Sequence, residues 1–262
     1  MLFAIISDVH ANLEALTAVM NNMPKYASVV HLGDLVGYGA QPNEVVNLIA
    51  QTRGVMGNHD CAALGDPDLL ARFNESAKIS AIWTKKQLTP SSKTYLESLP
   101  YVATITDDAE LPFTIAHGSP FEPFKFHYVL DNSAAMKATK AFTTQLCFIG
   151  HSHFPESFAR PTGSGKIFRE RHGLEEAVIH ISNETVSSPD ILKIENGMQY
   201  VVNVGSIGQP RDGDARASYV LLDTTERTIT WQRVAYDIAS AQATIMNAGL
   251  PARNSERLTT GS

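Results

Sequence analysis

Leu2-Phe3-Ala4-Ile5-Ile6-Ser7-Asp8-Val9-His10 begins as an unbroken apolar run and ends with a carboxylate and an imidazole two positions apart. A run of this length suits a buried strand. Residues two apart on an extended chain point to the same side, so Asp8 and His10 can reach one ion beyond the strand's carboxyl end. Taken alone, the segment reads more readily as an Asp cap followed by an ordinary loop histidine.

The same arrangement recurs down the chain. Val29-Val30-His31-Leu32 ends in Gly33-Asp34, and Gly54-Val55-Met56 ends in Gly57-Asn58-His59-Asp60. Phe113-Thr114-Ile115-Ala116 ends in His117-Gly118, and Leu146-Cys147-Phe148-Ile149 ends in Gly150-His151-Ser152-His153. Each piece has a bland reading: a Gly-Asp turn, a helix capped by Asn58, a surface His-Ser-His. The ordered set does not. In open α/β sheets, ligands bind outside the carboxyl ends of the strands. Oxygen and imidazole donors gathered there suffice for two adjacent ions, and two metals about 3.5–4 Å apart are a device for attacking phosphate esters. In the third segment His59 and Asp60 read as an acid and its orienter, since a carboxylate on one ring nitrogen fixes the tautomer of the other.

These residues resemble the calcineurin-like metallophosphoesterase superfamily, whose pattern D-x-H, G-D, G-N-H-D/E, H, G-H-x-H is filled in order from Asp8 to His153. His117-Gly118-Ser119-Pro120 and Asn203-Val204-Gly205-Ser206-Ile207-Gly208-Gln209-Pro210-Arg211-Asp212 further resemble a small bacterial and archaeal phosphodiesterase branch, with Val204 departing from an expected proline. The resemblance implies a single domain over residues 1–262 with an α/β fold: a four-layer α/β/β/α sandwich of two mixed sheets flanked by helices. It implies two divalent ions, from among manganese, iron, zinc, cobalt and nickel. Asp8, His10 and His153 would hold the first; Asn58, His117 and His151 the second; Asp34 would bridge both. His59 would face the substrate and help the leaving group or the developing negative charge, donating to an oxygen if protonated, with Asp60 as its orienter.

The implied reaction is hydrolysis of a small-molecule phosphodiester, nucleotides included. A small-molecule phosphomonoesterase is the alternative, and a non-catalytic scaffold like the retromer-coat member of the superfamily is the rival from another class. A protein phosphatase is disfavoured, because Gly33-Asp34 continues as Leu35-Val36-Gly37-Tyr38-Gly39 without the expected arginine. With that arginine missing, positive charge rests on His59 and Arg211, whose bland fate is a salt bridge to Asp212 or Asp214. A charge-poor site suits a singly charged diester better than a monoester dianion.

Composition bounds the partners. Net charge is −6 and no basic run occurs, which argues against long nucleic acid. No stretch reaches the roughly 18–20 apolar residues of a membrane span. Met1-Leu2-Phe3 enters the first strand without a signal-like region, so a cytoplasmic protein is expected. Two cysteines, Cys61 and Cys147, make no disulfide framework. The aromatic segment Phe121 to Tyr128 reads as a wall of the site, with Phe124 and Tyr128 against a nucleobase, or as a packed loop or dimer contact; a homo-oligomer stays open. Residues 160–173 read as a basic loop or hairpin. His31, His172 and His180 read as structural.

The expected helices are 12–23, 43–50, two within 74–98 broken at Thr89-Pro90, 132–142 and 237–248. Strands are expected over 101–106 and 111–116, then over 176–182, 191–194, 200–203, 218–223 and 228–234.

Overall fold

The computed structural model describes residues 1–107, 110–172 and 190–262, and the backbone alone of two strands between 177 and 188. Strands β1 (Leu2–Ile6), β2 (Ser28–His31) and β3 (Arg53–Gly54) are separated by helices α1 (Leu13–Asn22) and α2 (Pro42–Ile49). A helical stretch follows: α3 (Asn58–Leu64), α4 (Pro67–Arg72), α5 (Glu75–Gln87) and α6 (Pro90–Glu97). Next come β4 (Val102–Ile105), β5 (Phe113–Ala116), α7 (Asn132–Ala138), β6 (Leu146–Ile149), β7 (Glu156–Pro161) and β8 (Phe168–Arg171). The chain continues through β9 (Ala177–Ile181), β10 (Glu184–Ser188), β11 (Ile191–Lys193), β12 (Met198–Asn203), β13 (Ala217–Asp223) and β14 (Thr228–Val234) to α8 (Ile238–Asn247) and α9 (Ala252–Glu256).

Two mixed six-stranded sheets result, ordered β11-β14-β13-β1-β2-β3 and β4-β5-β6-β12-β7-β8, with β9 and β10 as a separate hairpin. The period-two alternation of β1 divides its side chains between two cores. Phe3 and Ile5 join Phe113, Ile115, Phe148 and Val202 in the layer between the sheets. Ala4 and Ile6 face the other way, onto Leu16 and Val19 of α1 and Val45 and Ile49 of α2. On the far side of the second sheet, Cys147, Ile149 and Phe158 pack on Ala135 and Ala138 of α7. That stacking is the four-layer α/β/β/α sandwich. Phe3 meets Phe113 edge-on at 5.1 Å across the inter-sheet layer. Cutting a fully buried Ile5 to alanine there would cost about 2–5 kcal/mol.

Local chemistry sets the boundaries. The Asn12 side chain caps α1 by accepting from the Ala15 amide. Pro42, expected just outside α2, is its first residue, where a missing N–H costs nothing. Thr89 caps α6 and Pro90 opens it, which explains the break in 74–98. The helix expected over 132–142 stops at Ala138. Residues 160–173 form the turn and return strand of the β7–β8 hairpin, with Gly173 outside the described residues. The strand expected over 176–182 is β9, its terminal residues likewise outside them. Val204, where proline was expected, donates its amide to Ile149 O at 3.0 Å, a bond proline could not make. Among the described residues no helix is long and apolar enough to cross a membrane.

Candidate metal centre

All seven candidate ligands follow the carboxyl ends of strands: Asp8 and His10 after β1, Asp34 after β2, Asn58 after β3, His117 after β5, and His151 and His153 after β6. β1, β2 and β3 run parallel, as do β5 and β6, so both sheets deliver their strand ends to one place. Backbone bonds join the segments: Asp8 N to Gly33 O (3.1 Å), His10 N to Asp34 O (2.9 Å) and Gly150 N to His117 O (2.8 Å). Asp8, His10, Asp34, His151 and His153 all sit at positive φ, between 50° and 66°. Such conformations cost non-glycine residues energy and persist where the surroundings enforce them. Glycine is needed beside them for space: a Cβ on Gly57 would overlap Asp34 Oδ1, and one on Gly150 would overlap Ser7 and Asp8.

The donors form two buried groups, Asp8–His10–His153 and Asp34–His117–His151. In the first, His10 Nδ1 lies 3.3 Å from Val36 O and His153 Nδ1 lies 2.5 Å from Gln209 O. A carbonyl only accepts, so each Nδ1 carries the proton and each Nε2 a lone pair. Those two Nε2 atoms stand 3.2 Å apart. Asp8 Oδ1 is 3.1 Å from His153 Nε2, and this buried oxygen has no hydrogen-bond partner. Burial holds both rings neutral: His10 is pushed well below its ordinary pKa, and His153 is lowered by burial and by Arg211. Three acceptors converging without a proton among them fit a cation.

The second group repeats the pattern. His117 Nδ1 lies 2.9 Å from Leu32 O, turning Nε2 toward Asn58 Oδ1 at 3.1 Å and Asp34 Oδ2 at 3.2 Å. Burial opposes charge on His117, yet Asp34 and Asp8 outweigh it and raise the ring to about 9, so this group also favours a positive charge. Each carboxylate is anchored by one oxygen. Asp8 Oδ2 accepts from the His151 amide (3.0 Å), and Asp34 Oδ1 accepts from the His59 amide (2.8 Å). Asp34 Oδ2 lies 3.8 Å from His10 Nε2, so it borders both groups. Burial alone would raise both carboxyls, but the neighbouring histidines hold them well below the usual range.

A cleft of about 240 Å³ opens on this centre. It is lined by Asn58, His59, His151 and His153, by the rings of Tyr38, Phe73 and Tyr128, and by Arg72, Arg211, Arg253 and Arg257. Tyr128 stacks on His151 at 3.8 Å. Arg211 escapes the salt bridge that its neighbours could have offered: Asp212 pairs with Arg233, and Asp214 with Arg216 and Arg233.

Several expectations need correction. Asp60 does not orient His59. Its carboxylate accepts from the Val36 amide at 3.1 Å and the Gly57 amide at 3.0 Å, so it fixes the loop that carries Asn58. His59 Nδ1 has no hydrogen-bond partner. Burial, with help from Arg211, lowers His59 to about 4 and so favours its neutral ring. Its ring is held instead between Tyr38 and Phe73, each 4.5 Å away. Phe124 does not line the cleft; it lies 56% exposed on the short 3-10 turn Pro123–Lys125. Phe126 is buried against Tyr101 and His117. The charge-poor site is also overturned, because three further arginines reach the cleft beside Arg211. Sequence reasoning missed Arg72, Arg253 and Arg257; each stands outside every motif, and only folding brings them together.

Elsewhere, Ser157 Oγ, His172 and Asp190 form a hydrogen-bonded line with both contacts at 2.8 Å. His172 lies flat on Trp231 at 3.7 Å and Ser157 is 2% exposed, so the line ties the two sheets together as packing. His31 is likewise structural, buried with Nε2 on the Tyr95 hydroxyl. The His180 side chain lies outside those described. Cys61 and Cys147 are free and buried.

Residues 1–227 match the calcineurin-like phosphoesterase superfamily domain, and the chain belongs to that superfamily. It is similar to a metallophosphoesterase from Sphaerobacter thermophilus, at 35% identity and a TM-score of 0.83, covering 100% of this chain and 99% of that one. The uncharacterized protein MJ0912 of Methanocaldococcus jannaschii is 35% identical over 99% of this chain and 98% of its own length. The hypothetical protein PH1004 of Pyrococcus horikoshii shares the fold, with a TM-score of 0.72 at 19% identity, covering 100% of this chain and 98% of that one.

Proposed function

We propose that this member of the calcineurin-like phosphoesterase superfamily is a dinuclear metal-dependent phosphodiesterase acting on a small-molecule phosphate ester, nucleotides included. One observation carries the dinuclear part of the reading: two groups of converging lone pairs share the border residue Asp34. Asp8, His10 and His153 would hold one ion and Asn58, His117 and His151 the other, with Asp34 common to both. Nitrogen and oxygen donors without thiolate suit manganese, iron, zinc, cobalt or nickel. When bound, two such ions lower the pKa of a shared water toward about 7 and neutralise phosphoryl oxygens.

The remaining work falls to the chain. The Nδ1–H bonds to Val36, Leu32 and Gln209 hold three imidazoles in the ligating tautomer. His59, neutral and clamped between two rings, offers a ring N–H to an oxygen of the ester as charge develops there. Arg211, unpaired with any neighbouring carboxylate, is placed to bind a non-bridging oxygen. Tyr128 offers an aromatic face at the rim.

The test is manganese-stimulated hydrolysis of bis-p-nitrophenyl phosphate, expected with higher kcat/KM than p-nitrophenyl phosphate. Preference for the monoester across several metals would replace the diesterase reading by a small-molecule phosphomonoesterase. The unpaired Arg211 favours that second reading, because a dianion needs the extra cation. If the fully metallated protein hydrolyses no ester, a binding scaffold is the better description.

A further inference from the structure

Resting on the phosphoesterase reading for its place in the cleft, we propose that Arg257 and Arg253, with Arg211 and Arg72, form a second anion subsite beside the metal centre. The substrate would then carry a second phosphate group in addition to the scissile one.

The matched superfamily domain ends at residue 227, whereas Arg253 and Arg257 come from beyond it. Asn254 fixes the segment, its amide donating to Tyr38 O at 3.0 Å and Ser80 Oγ at 2.9 Å. This packing turns the last residues into a wall of the cleft.

Arg211 lines the cleft together with Asn58, His151 and His153, next to the candidate metal ligands. Arg257 and Arg211 both donate to Gln209 Oε1, at 2.9 and 3.0 Å. One neutral oxygen thus joins two cations. Among the described residues no side-chain carboxylate forms an ion pair with Arg72, Arg211, Arg253 or Arg257; Arg257 Nε donates to the main-chain oxygen of Ser262, the last residue given, and Arg72 Nε to that of Asp68. Arg211 Nε is buried without a partner. Burial first, and then Arg211, lower Arg257 to about 10.

Gathering four cations without a side-chain counter-charge costs folding energy, and the chain has acidic residues to spare, with a net charge of −6. A phosphate group would satisfy the free donors with bidentate, charge-assisted bonds. A compact scissile phosphate held at the metal centre beside Arg211 leaves Arg253 and Arg257 to a second one.

Two measurements test this. The first is calorimetry of inorganic pyrophosphate binding to the metal-free protein. Arg253→Gln/Arg257→Gln should weaken binding by about tenfold or more, Arg257→Lys by less, and added salt should weaken the wild type. Should the double variant not fold, the exposed single change Arg253→Gln is expected to weaken binding about threefold. Equal binding by wild type and variants overturns the subsite.

The second compares thymidine 5′-(p-nitrophenyl phosphate) with its 3′-phosphorylated counterpart. The added phosphate should lower KM about tenfold in the wild type and no more than about twofold in the double variant. Equal KM values in the wild type count against the subsite while leaving the phosphoesterase reading standing. Hydrolysis of neither ester counts against that reading, and the calorimetry then decides the subsite by itself.

Discussion

His10 Nε2 stands 3.2 Å from His153 Nε2, and neither nitrogen has a proton to offer the other. Two lone pairs this close, with Asp8 Oδ1 beside them, repel unless a cation lies among them. Divalent metal should therefore stabilise the fold, by about 4 kcal/mol at a thousandfold excess over Kd, and chelation should reverse this. Thermal melts with and without manganese measure it. Asp34→Asn should lower metal content and abolish turnover; full metal content with wild-type turnover would remove Asp34 from both groups.

His59 touches the cleft without belonging to either donor group. His59→Gln should keep most of the metal and lose roughly 10²–10⁴-fold in turnover, the worth of a positioned proton donor. Metal analysis alongside kinetics separates the cases. A loss of activity that merely follows lost metal assigns His59 to the centre's structure.

The aromatic segment divides into a residue that faces the site and one that does not. Tyr128→Ala should raise KM for a nucleotide ester by about 5- to 100-fold, the range for one base–ring stack, and raise it less for a small aryl phosphate. Phe124→Ala should change neither. Equal effects of Tyr128→Ala on both substrates would reduce the ring to packing on His151.

His31 gives one part of the pH dependence of stability. Burial lowers it to about 3, so the folded state keeps the ring neutral while the unfolded chain protonates it below about 6.5. A depressed histidine contributes stability that is fully present above the unfolded pKa and is lost as pH falls toward 3. At pH 5 the loss should be roughly 2 kcal/mol. Melting temperatures of wild type and His31→Gln between pH 5 and 8 should converge as pH falls; parallel curves would refute the assignment.

The ligand segments were legible because each is local. A buried strand, a glycine and a donor within a few residues are a continuous stretch of chain, and the parallel strand ends gather such stretches by topology. The same locality made the helix caps Asn12 and Thr89 readable. Asp60 was misread for the opposite reason: its neighbour in sequence is His59, but its carboxylate is drawn to the Val36 and Gly57 amides, which no spacing rule reveals. Phe124 and Tyr128 look alike in sequence, and only the 3-10 turn between Glu122 and Phe126 sends one outward and the other onto His151.

By itself the sequence determined the order of the donors, and its resemblance to the superfamily implied the two-sheet sandwich and the metal-dependent class of chemistry. Only the tertiary structure decided the charge of the cleft. Arg72, Arg211, Arg253 and Arg257 come from distant parts of the chain with no periodicity or motif joining them. Coulombic interaction depends on distance in space, so a net charge of −6 and a cleft lined by four arginines are compatible once folding has placed Asp212 and Asp214 on other partners.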